Sequence, residues 1–395
     1  MHQGKYTESA KFLAAHSLIS DVHPETGQPW VPQFEKDFAK VSGYQYAIAV
    51  NSGTSAIHAA LLALGIGPGD EVISPALTVV MDAFATLFVG ATPIFADVEI
   101  DSWNINPEVV ESLISPKTRA IISVSWFGLP TNSIRLQEIS KKYNIPIIDD
   151  SAEMISMRGY EPSGVPQPMF RVFSFESKKH FSTGGEGGML VTNDPALAKK
   201  ARQAAGLGYK HLSAGKGRTS LASNIFQNPN YERFDAIGFN YRMTPITAAI
   251  GLGQLSELDK FLNARLNAAS KFLMMSNKTK WLIPQQAAQD GVPHSYYSLG
   301  LRFVSENISN KTWEDFYDLF TSRGGHGFYS NCKNPYLEPF FIGKTMGNQK
   351  LVPGLAPVAE LLQTQIMAFK TNYLDSKIVD QQAQILKDVI EEFGQ

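Results

Sequence analysis

Cysteine is almost absent. One thiol, Cys332, in 395 residues excludes an internal disulfide and leaves too few sulfur ligands for a zinc or iron–sulfur centre. A surplus of either charge is also missing. Lys plus Arg number 35 and Asp plus Glu 37, a formal net charge of −2. Nothing in that balance draws the chain to nucleic acid or to an anionic membrane. Long apolar runs are missing too. The most apolar stretch, residues 83–96, is broken by Thr86, Gly90, Thr92 and Pro93. It falls short of the roughly 20 residues that a membrane helix needs. Residues 1–16 lack a charged leader followed by an apolar core, so they read as something other than a signal peptide. The expectation is a soluble, cytoplasmic protein with no membrane and no nucleic-acid partner. Core material is plentiful: 44% of residues are hydrophobic and 11% aromatic, which excludes disorder as the main state.

The chain shows no internal repeat and no low-complexity segment. From residue 44 short apolar runs alternate with amphipathic ones. Strands are predicted at 47–50, 71–75, 93–98, 120–126, 146–150, 171–176 and 189–192. Helices are predicted at 52–64, 79–88, 107–114 and 133–143. This alternation argues for an α/β fold, a mostly parallel mixed sheet flanked by helices. Ligands of such sheets sit beyond the C-terminal strand ends. After Thr244 a long helix is predicted through about residue 272, with Pro245 suited to its first turn. Strand 298–304 and helices 313–323 and 375–393 follow. We therefore expect a large domain over residues 1–260 and a smaller C-terminal α+β domain over 261–395. The first thirty or so residues are free to pack with the smaller one.

Four stretches carry possible chemistry, each with a plain structural alternative. Ser52-Gly53-Thr54-Ser55-Ala56 lies between a strand and a helix, where free N–H groups and hydroxyls can cradle a phosphate. It also reads as an ordinary helix cap. Ile147-Ile148-Asp149-Asp150-Ser151-Ala152-Glu153 brings acids to the end of a buried strand, where a carboxylate must be paired or hydrogen-bonded. A pyridinium N–H is one such partner; a helix cap is the alternative. Phe173 to His180, ahead of Thr183-Gly184-Gly185-Glu186-Gly187-Gly188, delivers lysines into a glycine-rich turn. A lysine there can form a Schiff base with an aldehyde cofactor, or it can be a solvated charge. Gly238-Phe239-Asn240-Tyr241-Arg242-Met243 precedes the long helix and also reads as a structural turn.

Taken in order and spacing, these stretches resemble the DegT–DnrJ–StrS family of pyridoxal-phosphate-dependent sugar aminotransferases, from about residue 34 to 258 and more loosely beyond. Phe34-Glu35, Phe38-Ala39, Pro75-Ala76-Leu77-Thr78, Gly90-Ala91-Thr92-Pro93, Phe127-Gly128-Leu129-Pro130 and Asn240-Tyr241-Arg242-Met243 also match. The resemblance implies the aspartate aminotransferase-like fold type I and pyridoxal 5′-phosphate as cofactor. It implies that Lys179 holds the cofactor and Asp150 pairs with its pyridine nitrogen. The backbone at Gly53 and Thr54, with the Ser55 and Ser174 hydroxyls, would take the phosphate. Glu153 falls at a cofactor-binding position that usually holds Gln or His. Asn240 would reach the phosphate in a neighbouring subunit, making a homodimer. The partners implied are an amino acid donor, L-glutamate, and a carbonyl sugar, for surface polysaccharide or lipopolysaccharide synthesis. That sugar is either a nucleotide-linked keto sugar or the C8 aldehyde of an oxidised 3-deoxy-octulosonate.

Two alternatives accompany this reading. Some members of the family carry histidine at the lysine position and dehydrate sugars, and here His180 adjoins Lys179. Counting forward from Ser174 reaches Lys179; counting back from the glycine turn reaches His180, unless Gly184 or Gly185 is an extra residue. Lys178 would face away by the period of two of a continuing strand. The other alternative is a regulator that binds the cofactor without turnover. Val79 stands where an aromatic ring is usual, and Ser125 where His is common. The long polar segment 206–237, with Lys210, His211, Lys216 and Arg218, reads either as a clamp for an anionic substrate or as a solvated loop.

Overall fold

The structure is a computed structural model that describes residues 5–155, 167–212, 223–277, 279–287, 293–308 and 311–394. Lys216 and Arg218 therefore lie outside the described residues.

Seven strands form one sheet: β1 (Tyr46–Val50), β2 (Glu71–Pro75), β3 (Thr92–Ala96), β4 (Thr118–Val124), β5 (Ile147–Asp150), β6 (Phe170–Ser174) and β7 (Gly188–Thr192). Their spatial order is β1-β7-β6-β5-β4-β2-β3. The pairs from β6 across to β3 are parallel, while β7 runs antiparallel to both β1 and β6. The strands are short and apolar on both faces because helices cover both. The expected mostly parallel, helix-flanked sheet is thus observed.

The helices are α1 (Glu8–Ser17), α2 (Trp30–Ser42), α3 (Gly53–Ala63), α4 (Met81–Phe88), α5 (Pro107–Leu113), α6 (Ser133–Tyr143), α7 (Pro195–Ala205), α8 (Ser223–Phe226), α9 (Pro245–Leu255), α10 (Leu258–Ser276), α11 (Trp313–Ser322), α12 (Pro357–Gln365) and α13 (Ser376–Phe393). One face of the sheet packs Ile48, Ile122, Ile148, Val172 and Leu190 with α3 and α7. The opposite face splits in two. Phe173, Met189 and Val191 meet α2 and α9, and Ile121 and Ile147 meet α5 and α6. The N-terminal helix α1 lies along α9, fastened where the Thr7 N–H donates to Gln254 Oε1 at 2.9 Å.

A second, antiparallel sheet contains β8 (Leu282–Pro284), β9 (Ser298–Phe303), β10 (Phe328–Ser330) and, beyond the hairpin of β11 (Thr345–Met346) and β12 (Gln349–Lys350), β13 (Ile366–Lys370). Its order is β10-β13-β9-β8. α11 and α13 bury Phe316, Phe320, Leu386 and Phe393 against it. α10 joins the two cores, giving Phe261 to one and Phe272 to the other.

The single long helix expected after Thr244 is instead two. Ser256 and Glu257 interrupt the ladder: Ser256 caps α9, and Glu257 precedes α10 with ψ of 19°. Apolar periodicity runs through the break, so sequence pattern alone joins the two helices. The strand expected to continue to residue 176 ends at Ser174. After the polar segment 206–237, residues 239–241 return beside α7: the Phe239 N–H donates to the Ala204 carbonyl at 2.6 Å and the Tyr241 N–H to the Ala205 carbonyl at 2.9 Å.

Candidate active site

The two acids at the end of β5 are buried on opposite faces of the sheet, as strand alternation requires. Their cross-strand neighbours decide their environments. Asp149 pairs in register with Ser123 on β4 and Arg171 on β6. It accepts from Ser123 Oγ at 3.2 Å, Ser151 Oγ at 3.1 Å and Arg171 Nε at 2.8 Å. Asp150 sits in register between Val124 and Val172. The Ala152 N–H donates to its Oδ1 at 2.8 Å. Burial among these valines pushes the Asp150 carboxyl up to about 6, against the pull of that N–H and of Lys179.

Lys179 arrives on a turn, not on a strand. Its N–H donates to the Glu176 carbonyl at 3.0 Å, and Arg265 of α10 fixes the segment by donating to the Lys178 and Lys179 carbonyls, each at 3.2 Å. The side chains still part as expected, by turn geometry instead of strand alternation. Lys178 is exposed, with Nζ 5.7 Å from the Tyr329 ring centre. Lys179 turns inward, with Nζ 3.5 Å from Glu153 Oε1 and 4.6 Å from the Tyr297 ring centre. Burial pulls the Lys179 ammonium down, but Glu153, Tyr297 and Asp150 together outweigh it, so the net direction is up. Glu153 also accepts from the Phe127 N–H at 3.1 Å. In the glycine turn, Gly184 and Gly185 adopt φ of +105° and +123°, which side chains with a Cβ rarely do. His180 is buried elsewhere in its surroundings, with Nε2 3.2 Å from the Ser295 carbonyl. Burial holds its ring well below the usual value, and therefore neutral.

The other expected residues lie on α3, at the end of β6 and in the segment that follows α7. Ser52 caps α3, receiving the Ser55 N–H at 3.1 Å. The N–H groups of Gly53 and Thr54 precede the helical ladder and point out of the helix end. A Cβ at Gly53 would lie 3.0 Å from Ser174 Cβ, so glycine lets the helix end close on the end of β6. Ser174 is buried. Ser55 Oγ donates to Asn51 Oδ1 at 2.6 Å. Asn240 lies in the returning segment, exposed, accepting from Arg242 Nε at 2.9 Å. That segment touches the end of β1, since the Asn51 N–H donates to the Tyr241 carbonyl at 2.8 Å. Lys210 pairs with Glu232 at 2.7 Å.

Three contributors were missed in the sequence. Arg265 falls on the buried stripe of α10 with Phe261, Ala268, Ala269 and Phe272, and a charge on such a stripe was the available signal. Tyr297 lies under the Lys179 ammonium. Asp82, on α4, is fully buried beside Asp150. A cavity of about 290 Å³ opens among Val79, Trp126, Phe127, Tyr297, Tyr329 and Asn331. The expected Val79 forms part of its wall, whereas Ser125 is fully buried.

Pyridoxal phosphate requires an amine for its aldehyde, an anion for its ring nitrogen and donors for its phosphate. Lys179, Asp150 and the N–H groups at the α3 end, set against Ser174, offer these three chemistries. The residues present fit the group.

Residues 14–312 match the profile of the DegT/DnrJ/EryC1/StrS aminotransferase family. The chain is 40% identical over 239 residues to a GDP-perosamine synthase of Caulobacter vibrioides, covering 60% of this chain and 59% of that protein. It is 35% identical over 275 residues to a GDP-perosamine synthase of Escherichia coli O157:H7, covering 69% of each. The solved aminotransferase from Psychrobacter cryohalolentis superposes with a TM-score of 0.86 at 27% identity, over 99% of this chain and 98% of that one. A matched profile over most of the chain and a shared fold lead to one conclusion: the chain belongs to the DegT/DnrJ/EryC1/StrS aminotransferase family.

Proposed function

We propose that the protein is a pyridoxal-phosphate-dependent sugar aminotransferase that moves an amino group from an amino acid, L-glutamate, to the keto carbonyl of a nucleotide-linked sugar. The observation that carries this reading is the inward Lys179 ammonium, held between Glu153, Tyr297 and Asp150. Bound pyridoxal phosphate would supply the aldehyde that takes up the amino group and a protonated ring that accepts electron density when a C–H bond breaks. Asp150 holds a negative charge for the ring N–H. Gly53 and Thr54 N–H groups, with Ser174, anchor the phosphate. Lys179 Nζ carries the proton between the two carbons that exchange it. Its ammonium must first release a proton, and Glu153 Oε1, 3.5 Å away, is a near acceptor. Val79, Trp126 and Tyr297 wall the cavity on the Tyr297 side.

The named relatives favour a GDP-linked keto sugar over the octulosonate aldehyde. His180 gives its ring to a backbone carbonyl, which speaks for Lys179 and against dehydration. The test is a screen of keto sugars, with and without a nucleotide, using glutamate as donor. Amination only of nucleotide-linked sugars supports the reading; amination of the free aldehyde alone would replace it. Cofactor binding without turnover of any acceptor would favour the regulator.

The functional unit is a cytoplasmic homodimer in this reading. Ile237 is 88% exposed and Phe234 53%, on the segment that carries Asn240, and Phe88 is 60% exposed nearby. A second copy covering this apolar patch would bring Asn240 toward the partner's phosphate site. Mixing Lys179→Ala subunits with Asn240→Ala subunits should restore activity if the sites are composite; a dead hybrid with proven exchange would place both residues in one chain's site.

A further inference from the structure

Asp82 has no role in the scheme above, yet it is among the most completely buried acids of the chain, fully shielded from solvent on α4. Thr78 Oγ1 donates to its Oδ2 at 3.1 Å, whereas Oδ1 has no donor. A buried carboxylate with one oxygen lacking a donor is costly. Asp150 lies within hydrogen-bonding reach of it. Two carboxyls in such contact cannot both ionise in an apolar surround.

The surroundings decide which one keeps the proton. Asp150 has the Ala152 N–H at 2.8 Å and the attraction of Lys179; Asp149 and Glu153 oppose it. Asp82 has a single hydroxyl donor. It stands in the first turn of α4, where the helix dipole favours a charge. Burial and the repulsion of Asp150 outweigh that, and its pKa lies well above the usual carboxylate range.

We propose that Asp82 is a positioning residue: its un-ionised carboxyl donates an O–H to Asp150, so that the pair carries one negative charge, seated on Asp150 and aimed by Asp82. This rests on the reading in which Asp150 meets the cofactor's ring nitrogen. The donation gives the Asp82 carboxyl a second partner besides Thr78. It also ties Asp150 to α4 as well as to its own strand, fixing the carboxylate against rotation. The sequence conceals this device, because an acid at the start of a helix is ordinarily a dipole partner facing water.

The first measurement uses the cofactor-free protein. Infrared difference spectra at neutral pH should show the carbonyl band of an un-ionised, buried carboxylic acid. The band should vanish in Asp82→Asn and persist in Asp149→Asn. Absence of the band in the unaltered protein overturns the proposal. So does a band that survives Asp82→Asn and disappears in Asp150→Asn, since the proton would then sit on Asp150. The second measurement is the dissociation constant of pyridoxal phosphate, with the pH profile of its near-visible absorbance. Asp82→Asn retains an N–H donor and should bind within about threefold of the unaltered protein, whereas Asp82→Val loses the hydrogen bond to a charged group and should bind about tenfold or more weakly. A shifted absorbance profile in Asp82→Asn would mean that Asp82 had been ionised, and overturns the proposal. Equal affinity and rate in Asp82→Val would do the same. Should Asp82→Val not fold, the band and the Asp82→Asn profile decide. If the band behaves as expected while Asp150→Asn binds and turns over normally, the carboxyl pair stands and the cofactor reading falls.

Discussion

Asp149 and Asp150 are consecutive, equally buried, and on opposite faces of one sheet, yet only one face is prepared for chemistry. On the Asp149 side the neighbouring strands supply a serine and an arginine, and both carboxylate oxygens accept hydrogen bonds. On the Asp150 side they supply valines. The first arrangement is a closed ion pair, stable and inert. The second leaves a carboxylate with a backbone N–H donor near a lysine ammonium that is paired with Glu153. Structural and reactive acids thus differ here in cross-strand neighbours, not in burial, and each face should fail in its own way.

The largest effect should come from the lysine of the reactive face. Lys179→Ala should abolish both covalent attachment of pyridoxal phosphate, read as its near-visible absorbance, and turnover, whereas Lys178→Ala should keep both. Loss of absorbance in the Lys178 variant instead would reverse the assignment of the two side chains.

The next pair tests the faces directly. Asp150→Asn should fold normally but turn over about 10²–10³-fold more slowly, the scale of losing one preorganised charge partner. Asp149→Ala should do the reverse. It removes the carboxylate from a buried ion pair with Arg171, and breaking such a pair costs about 3–5 kcal/mol. Denaturant unfolding should show that loss, while activity per folded molecule stays near normal. If Asp149→Ala were as stable as the unaltered protein, or Asp150→Asn as active, the contrast between the faces would be wrong.

The pH dependence of stability sharpens the contrast. The folded cofactor-free protein holds Asp150 at about 6, above its unfolded value of 3.8. It therefore binds more protons than the unfolded chain between those values, and this group's contribution to stability falls as pH rises from about 4 to 6. Asp150→Asn removes that slope. Its stability relative to the unaltered protein should rise across this window and level off above it, as followed by thermal unfolding of both. A difference independent of pH would mean that the Asp150 carboxyl is not raised.

Much of this was legible in the sequence, and the rest was hidden for specific reasons. Strands β2 and β5 and helix α6 were placed within a residue, because apolar runs between turn residues leave few alternatives. Asp150 and the α3 cap were singled out because they lie at or just past strand ends, and Lys179 because its spacing from Ser174 matches the family motif. The break at Ser256 was hidden because apolar spacing continues across it. Asp82 was hidden because only its partner across the core reveals it. Tyr297 and Arg265 come from the far half of the chain, and what joins them to Lys179 is the packing of α10 and β9, which local pattern does not record. Lys210, a candidate clamp in the sequence, pairs with Glu232, a neighbour that the sequence reading did not name.

The smallest effect separates affinity from stability on the reactive face alone. Gly53 has no positive φ to require glycine; what requires it is Ser174 Cβ, 3.0 Å from where a new methyl would sit. Alanine would need Ser174 to give by a few tenths of an ångström. The same substitution restricts the unfolded chain, which stabilises a protein by about 0.4–1 kcal/mol where the backbone is compatible. These contributions oppose, so the unfolding midpoint of cofactor-free Gly53→Ala should stay close to that of the unaltered protein. The phosphate site has no such compensation. Displacing Ser174 and the first N–H groups of α3 removes part of a hydrogen bond to a charged group, and affinity for pyridoxal phosphate should fall by about threefold to tenfold. This is the mirror image of Asp149→Ala: affinity lost with stability kept, against stability lost with activity kept. Equilibrium titration of the cofactor-free variant with pyridoxal phosphate measures it. An unchanged constant would show that the helix end has room to spare, and the phosphate would then have to be sought away from Gly53.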